Sequence, residues 1–204
     1  MPTAARGRPR SFNRDQAVHQ AMLAFWDHGY ERTSVASLID LMQVRPPSFY
    51  AAFGSKEALF LEALELYRGM IGAKTMAALN STSGQEAIAA FFRQSVVNAT
   101  TRPSAGCLIT LGGHVPVDGS PAATAVASLH AATWTAVHRQ LESSRCEGRL
   151  PAGADLSALT DFLMTVLKGI SLQARHGVAA DTLQQAAAIA VNALPWTPSG
   201  SRAG

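Results

Sequence analysis

The feature that most constrains this chain is a series of short helical segments, set off by closely spaced start and stop signals, in its N-terminal part. Asn13, with a glutamine three residues later, is typical of a helix N-terminus, and Gly29 supplies a left-handed stop. A second helix is predicted to start after Thr33 or Ser34 and to run through about Met42. No alternating strand pattern stands out along the chain, so the sequence predicts an all-α fold.

A three-residue turn, residues 43–45, follows the second helix. Pro46 and the proline after it suit the first helical turn, where the missing amide would be unpaired in any case. The third helix is therefore predicted to run from Pro46 to about Phe53 and to stop at Gly54, with Ser55 capping a fourth. Two short helices joined by a tight turn, with a third helix before them, form the helix-turn-helix layout.

The remainder of the chain carries further helix starts: a capping box at residues 83–86, the Ser120-Pro121 pair, Asp155 and Asp181. About nine helices are expected in total. The predicted organisation is a flexible basic arm (1–12), a helix-turn-helix DNA-binding domain (13–60), a helical ligand-binding and dimerisation domain (61–196) and a disordered tail (197–204).

Charge and cysteine content narrow the class of protein. The net charge is only +3, yet four arginines precede the first acidic residue, Asp15; they are Arg6, Arg8, Arg10 and Arg14. This local positive charge suggests an anionic partner for the N-terminus. Two cysteines, Cys107 and Cys146, are too few for a disulfide framework, and no apolar run predicts a membrane span. We therefore expect a reduced, cytoplasmic protein with no membrane partner.

The residues around the predicted turn resemble the DNA-binding domain of the TetR family of transcriptional regulators. The resemblance rests on GYERTS at 29–34, on the apolar helix 35–41 and on PSFYAAFGSKEAL at 47–59. It is dense over 11–66, and it extends loosely over the rest as the family's all-helical ligand domain. It implies a homodimer that binds double-stranded operator DNA, usually as a repressor, and is released by an unidentified small-molecule effector.

The same resemblance assigns DNA contacts. Thr33, Tyr50 and Lys56 match positions that contact phosphates in the family, and Ser34 begins the helix beside them. The positions that approach base edges are Arg45, Pro46, Pro47 and Ser48. Because they precede the helix-turn-helix, Arg8 and Arg10 are expected in the minor groove or on the backbone; the alternative is a solubilising tail.

Physical chemistry supports the assignment, because residues 44–54 contain no acid that would repel phosphate. Tyr50 has an alternative as a core aromatic, and Phe49 is expected in the core. Lys56 opposes the helix dipole, which favours a functional reason for it. The sequence departs from the family at Gln43, where glycine is usual, and at Arg45, where a short capping side chain is usual.

In the C-terminal part, helices at about 155–176 and 181–194 resemble the family's interface pair. Apolar residues wrap the first of these helices, so it needs burial on two sides. We expect Leu163, Val166, Leu167 and Ile170 at or beside a two-fold interface; the alternative is a helix wholly inside a monomer.

Polar-tipped residues on helices that otherwise belong to a core are the candidates for an effector pocket, although core packing is an alternative for each. They are Phe92, Cys107, Thr110, His114, Trp134, His138 and Met164.

Cys107 leaves alternatives open. At the start of a short helix its thiolate would be favoured, which makes a redox or electrophile sensor an alternative, as is a small buried apolar residue. Cys107 and His114 could serve as nucleophile and base, but no third orienting group, phosphate loop or metal-ligand spacing accompanies them. We therefore expect that the protein is not an enzyme and that it binds neither a metal nor a cofactor. A DNA-binding protein without an effector is a further alternative.

Overall fold

The computed structural model describes residues 13–101, 105–112 and 119–197. These residues fold into helices joined by short connections, without a strand among them, as the sequence predicts. The α-helices are α1 (Arg14–Arg32), α2 (Val35–Met42), α3 (Pro46–Phe53), α4 (Lys56–Tyr67), α5 (Ala73–Asn80), α6 (Gly84–Thr100), α7 (Pro121–Cys146), α8 (Leu156–Arg175) and α9 (Ala180–Asn192). Two π-helical turns, Arg68–Gly72 and Leu108–Gly112, complete the set.

Side-chain caps begin most of the predicted helices. Asn13 accepts a hydrogen bond from the amide of Gln16 at 3.0 Å. Ser34 and Ser55 accept equivalent bonds at the starts of α2 and α4, both at 3.0 Å. Because each cap satisfies an amide that the first turn leaves unpaired, these side chains fix where the helices begin. The predicted caps Ser120 and Asp155 are likewise confirmed.

Two predicted caps are wrong in detail. The helix after Ser83 does begin at Gly84, but the Ser83 hydroxyl accepts a hydrogen bond from Arg149 Nη1 at 2.6 Å instead of capping the helix. The last helix begins at Ala180, so Asp181 lies inside its first turn and Ala179 occupies the cap position. An acid in a first turn still interacts favourably with the helix dipole, which explains why the sequence signal resembled a cap.

The described residues form two packed cores. The N-terminal core gathers the buried side chains of α1 to α4, and it also takes in Leu108 and the start of α7 at Ala122 and Val126. The other core lies between α5, α6, α7, α8 and α9. The predicted boundary at residue 60 falls in the middle of α4, whose Leu64 and Tyr67 still belong to the N-terminal core.

None of the described helices has both the length and the apolar character that crossing a bilayer demands.

Candidate DNA-binding surface and internal cavity

The turn between α2 and α3 is built on a left-handed residue. Gln43 has φ 53° and ψ 42°, as expected for the position that the family usually fills with glycine. Its amide donates to the carbonyl of Asp40 at 3.2 Å, and the amide of Val44 donates to Ile39 at the same distance. These bonds close the end of α2 and fix the direction in which α3 leaves.

The helix α3 is anchored by two phenylalanines and presents its other face to solvent. Phe49 and Phe53 are buried in the N-terminal core, so the expectation that Phe49 is a core residue is confirmed. Tyr50 is 53% exposed, which rules out the alternative of a core aromatic. The exposed residues of this surface are Arg45, Pro46, Pro47, Ser48 and Tyr50. We call these five residues the α3 surface.

Arg45 occupies the N-cap position of α3 without capping it. Its backbone is extended, and its side chain makes no cap hydrogen bond to the first turn. The prolines that follow have no amide to be capped, which removes part of the need for a short capping side chain. The exposed guanidinium therefore remains available at the N-terminal end of α3.

Thr33 and Lys56 have structural partners within the chain. Thr33 is only 2% exposed, and its hydroxyl donates to the carbonyl of Gly29 at 2.7 Å. Lys56 Nζ donates to the carbonyl of Tyr30 at 3.0 Å and lies 4.1 Å from the centre of the Tyr30 ring. This cation–π contact gives Lys56 a reason to open α4 despite the helix dipole.

The other predicted DNA contacts differ in their setting. Ser34 is exposed at the start of α2, and its hydroxyl caps that helix. Arg8 and Arg10 lie outside the described residues.

Behind the N-terminal core lies a cavity of about 350 Å³. Its walls come from α5 to α8, the two π-helical turns and Tyr67 at the end of α4. Most wall atoms are apolar, and hydroxyls from Thr75, Ser95, Thr133 and Ser171 are interspersed among them. Asn98 spans part of the wall and donates to Thr75 at 2.8 Å.

Two of the seven predicted pocket residues, Cys107 and Thr110, line this cavity. Burial of the Tyr67 ring raises the pKa of its hydroxyl well above the ordinary value, with the neighbouring Cys107 contributing. Tyr67 therefore stays a neutral donor, and its hydroxyl lies 3.5 Å from the Cys107 sulfur.

Four other predicted pocket residues pack elsewhere. Phe92 and Met164 are buried in the C-terminal core, and the neighbouring Phe91 lines the cavity instead. Trp134 stacks on His138 and donates to Asp161 at 2.7 Å. The polar atoms of Trp134 and His138 pair α7 with α8, because His138 Nδ1 also lies 3.2 Å from the hydroxyl of Thr160. The seventh, His114, lies outside the described residues.

Small residues line one side of the cavity and were missed by the sequence analysis. Gly69, Gly72 and Ala73 belong to the π-helical turn and the start of α5. A bare backbone has no side-chain chemistry that would mark it as a binding surface. The only sequence signal available was the pair of glycines inside an otherwise helical segment.

The residues expected at a two-fold interface lie on the inner side of α8. Leu163 is 1% exposed and Ile170 is also buried, both in the core of a single chain. Leu167 lines the cavity, and Val166 is half-buried against the C-terminal core. The exposed apolar side chains of this helix pair are Phe162 and Leu172 on α8 and Ile189 on α9.

Comparisons with known proteins give a consistent result. Residues 18–63 match the model of "Bacterial regulatory proteins, tetR family". The Escherichia coli K12 repressor ComR is 33% identical over 196 residues, covering 94% of this chain and 93% of its own. The Escherichia coli K12 repressor BdcR is 31% identical over 197 residues, covering 92% of each chain.

A solved structure is also similar over nearly its whole length. It is a cysteine mutant of the TetR family regulator CifR in complex with a 26-bp double-strand operator DNA. It superimposes with a TM-score of 0.83 at 36% identity, covering 93% of this chain and all of the other.

Proposed function

The chain belongs to the TetR family of bacterial transcriptional regulators, and on that premise we propose that it represses transcription by binding operator DNA as a homodimer, until a small molecule enters its cavity. The observation that supports DNA binding most strongly is the α3 surface. It is exposed, contains no acid and is held on a rigid core by Phe49 and Phe53. Base edges and phosphates are read by a helix of this kind in the major groove.

The residues of the α3 surface have distinct proposed roles. Arg45 pairs with a guanine, whose two acceptors match a guanidinium. The rings of Pro46 and Pro47 contact a thymine methyl, and Ser48 approaches a base edge. The hydroxyl of Tyr50 binds a phosphate, which supplies affinity without sequence preference.

Residues around the α3 surface complete the proposed contacts. Ser34 begins α2, and the Lys56 ammonium, which donates once to the carbonyl of Tyr30, has two further donors for a phosphate. Thr33 is buried and its hydroxyl donates to the carbonyl of Gly29, so a phosphate contact by Thr33 requires the end of α1 to open. Arg8 and Arg10 are proposed to enter the minor groove.

The proposed dimer forms through the outer faces of α8 and α9. Phe162, Leu172 and Ile189 place apolar surface in solvent on two helices that pack on each other. A second copy of the same face would bury these side chains around a two-fold axis. Val166 lies beside this face, whereas Leu163, Leu167 and Ile170 support it from within.

The proposed effector is a small and largely apolar molecule. The cavity of about 350 Å³ lies at the lower end of the range typical of ligand pockets, roughly 300–1,000 Å³. Hydroxyls such as Thr75 and Thr133 provide a few polar contacts in apolar walls.

A bacterial regulator that binds operator DNA must be in the compartment that contains the chromosome, so we propose a cytoplasmic location.

DNA binding is tested by selecting bound duplexes from a random library. The wild-type chain should enrich a near-palindrome, and fluorescence anisotropy should show affinity that falls steeply with salt. Tyr50→Ala should bind all duplexes more weakly and leave the salt dependence nearly unchanged, because a neutral hydroxyl on a phosphate releases no counterion. Failure of the wild-type chain to enrich any sequence would refute the proposed function.

Cys107 supports a second candidate, a thiol sensor of the same fold. Cys107 lines the cavity, and its sulfur lies beside the neutral hydroxyl of Tyr67. A thiolate there would attack an electrophilic carbon such as that of iodoacetamide, forming a sulfur–carbon bond and expelling iodide. The bulky product would then occupy the space that we assign to an effector.

The sensor is tested with peroxide and, separately, with iodoacetamide. A sensor requires that the wild-type protein lose operator affinity, that Cys107→Ser keep it, and that the exposed Cys146→Ser behave like the wild type. An equal response of all three proteins would leave only non-covalent induction. If compounds that fit the cavity change neither the melting temperature nor the affinity, the protein binds DNA without an effector.

A further inference from the structure

Arg175 is the last residue of α8, and its side chain binds the end of α1, which is distant from it in sequence. Its Nη1 donates to the carbonyl of Asp27 at 2.6 Å, and its Nη2 donates to the carbonyl of Trp26. One guanidinium therefore binds two successive carbonyls of a helix that is separated from it by 148 residues along the chain.

The end of α1 needs such a partner. Gly29 has φ 80° and ψ 164°, which interrupts the helix directly after this turn. Carbonyls in the last turn before an interruption lose the amides that would follow, and a cation there also interacts favourably with the helix dipole. The Nε of Arg175 is buried and has no hydrogen-bond partner within the described part of the chain. The contacts of this guanidinium are thus concentrated on α1.

This contact lies between the cavity and the DNA-binding surface. Ser171, one turn before Arg175 on α8, lines the cavity, and its carbonyl is 2.9 Å from the position that a Cβ on Gly106 would take. The indole of Trp26 donates to the carbonyl of Gly106 at 3.2 Å. The end of α1 is therefore bound both to α8 and to the cavity wall.

The position of α1 determines the position of α3, because both are packed into the N-terminal core. The helix α8 also carries Phe162 and Leu172, part of the face that we assign to the second copy. A contact that fixes α1 on α8 thus fixes each recognition helix relative to the two-fold axis. We propose that Arg175 is a positioning residue that sets the distance between the two α3 surfaces of the dimer, an inference that rests on the proposed function.

A positioning role and a purely structural role of Arg175 predict different binding properties. Arg175 contacts carbonyls of α1, so its loss should leave the base preference and the salt dependence of binding unchanged. What should change is the ability to discriminate between palindromes whose half-sites are differently spaced. A loosely held α1 allows α3 to reach half-sites at several separations.

The experiment measures binding to the selected palindrome and to two versions with the spacer lengthened or shortened by one base pair. The wild-type protein is expected to prefer the selected spacing by roughly tenfold, and Arg175→Gln to reduce that preference to about twofold, a coupling of ordinary size. Arg175→Lys keeps the charge but cannot bind two carbonyls in a fixed fork, so it should fall between them. Arg139→Gln, which removes an exposed arginine of α7, is the charge-matched control and should retain the wild-type preference.

Each outcome is decisive. If Arg175→Gln melts earlier but keeps the wild-type spacing preference, the contact is only structural and the proposal is wrong. If Arg175→Gln does not fold, a wild-type spacing preference in Arg175→Lys overturns the proposal, and a reduced preference supports it. If the wild-type protein itself binds no duplex specifically, the proposed function fails, whatever the variants do. If it binds one but discriminates no spacing, the positioning role alone is overturned.

Discussion

Among single residues, Gln43 bears a conformational cost that the rest of the turn imposes. Its φ of 53° lies in the left-handed region, which costs an ordinary residue roughly 1–2 kcal/mol and glycine nothing. Glycine loses more entropy on folding, which offsets part of this gain. We predict that Gln43→Gly stabilises the protein by about 0.5–1 kcal/mol, measured by urea denaturation with an unchanged m-value.

The control for Gln43 is a glutamine in regular helix. Gln20 lies within α1, so Gln20→Gly should destabilise the protein by about 1 kcal/mol. Opposite signs at the two positions would establish that backbone conformation is responsible. Destabilisation of the same size by both substitutions would contradict the account of the turn.

Arg45 is the residue for which we predict a sequence-specific effect. Arg45→Ala should cost about 1–3 kcal/mol of discrimination at one base position in each half-site and leave the other positions unchanged. The measurement is the affinity for a set of duplexes with single base changes. Lys74→Ala, which removes an exposed charge on α5, should leave every preference intact. An unchanged base preference in Arg45→Ala would show that another residue reads that position.

Single residues were predictable where the chemistry is local. Asn13, Ser55 and Asp155 cap helices because their side chains reach an amide three residues later, and no distant contact is needed. Thr33 and Lys56 were assigned to phosphates by resemblance alone. Their contacts with Gly29 and Tyr30 depend on how α1 and α4 meet, which sequence spacing does not specify.

At the level of helices, α8 is the element whose faces the sequence could not distinguish. Apolar residues surround it, so periodicity predicted burial on two sides without saying which side faces the chain's own core. Leu163 and Ile170 are buried within one chain, and Leu172 is 47% exposed. The four residues predicted at the interface lie on the inner side of α8, whereas the exposed apolar residues lie on its outer face.

The outer face of α8 and α9 leads to a prediction about assembly. A charge introduced at Leu172 or at Ile189, which is 70% exposed, would be buried unpaired in a dimer, so Leu172→Glu and Ile189→Glu should yield folded monomers. Light scattering measures the mass, and circular dichroism checks the fold. Leu167→Glu, directed at the cavity, should instead destabilise the single chain. Dimers of undiminished stability in both outer-face variants would contradict the assignment.

On the scale of the whole molecule, the exposed α3 surface was predictable and the cavity was not. The α3 surface comes from one continuous segment whose turn, prolines and stop signals follow each other in sequence. The cavity is assembled from several helices, and residues 105–112 serve both sides of it. Leu108 packs in the N-terminal core, whereas Cys107 and Thr110 line the cavity. Such sharing depends on tertiary packing, so among the predicted pocket residues that the structure describes, Cys107 and Thr110 alone line the cavity.

Under the proposed function, the shared wall is the route from the effector to the DNA-binding domain. Movement of residues 105–112 would reach α1 through Trp26, whose indole binds the carbonyl of Gly106. Arg175 holds the same end of α1 from α8. Two independent contacts therefore connect the cavity wall and the proposed dimer helices to the domain that presents α3.

The most direct test of the central claim, that two α3 surfaces read one operator, is a hydroxyl-radical footprint of the purified protein on its selected duplex. Our account predicts two protected half-sites related by two-fold symmetry, with centres about one helical turn apart, roughly 34–36 Å, or a multiple of that distance. Tyr50→Ala should weaken both half-sites equally. A single asymmetric protected region, or protection that Tyr50→Ala leaves unchanged, would contradict the account.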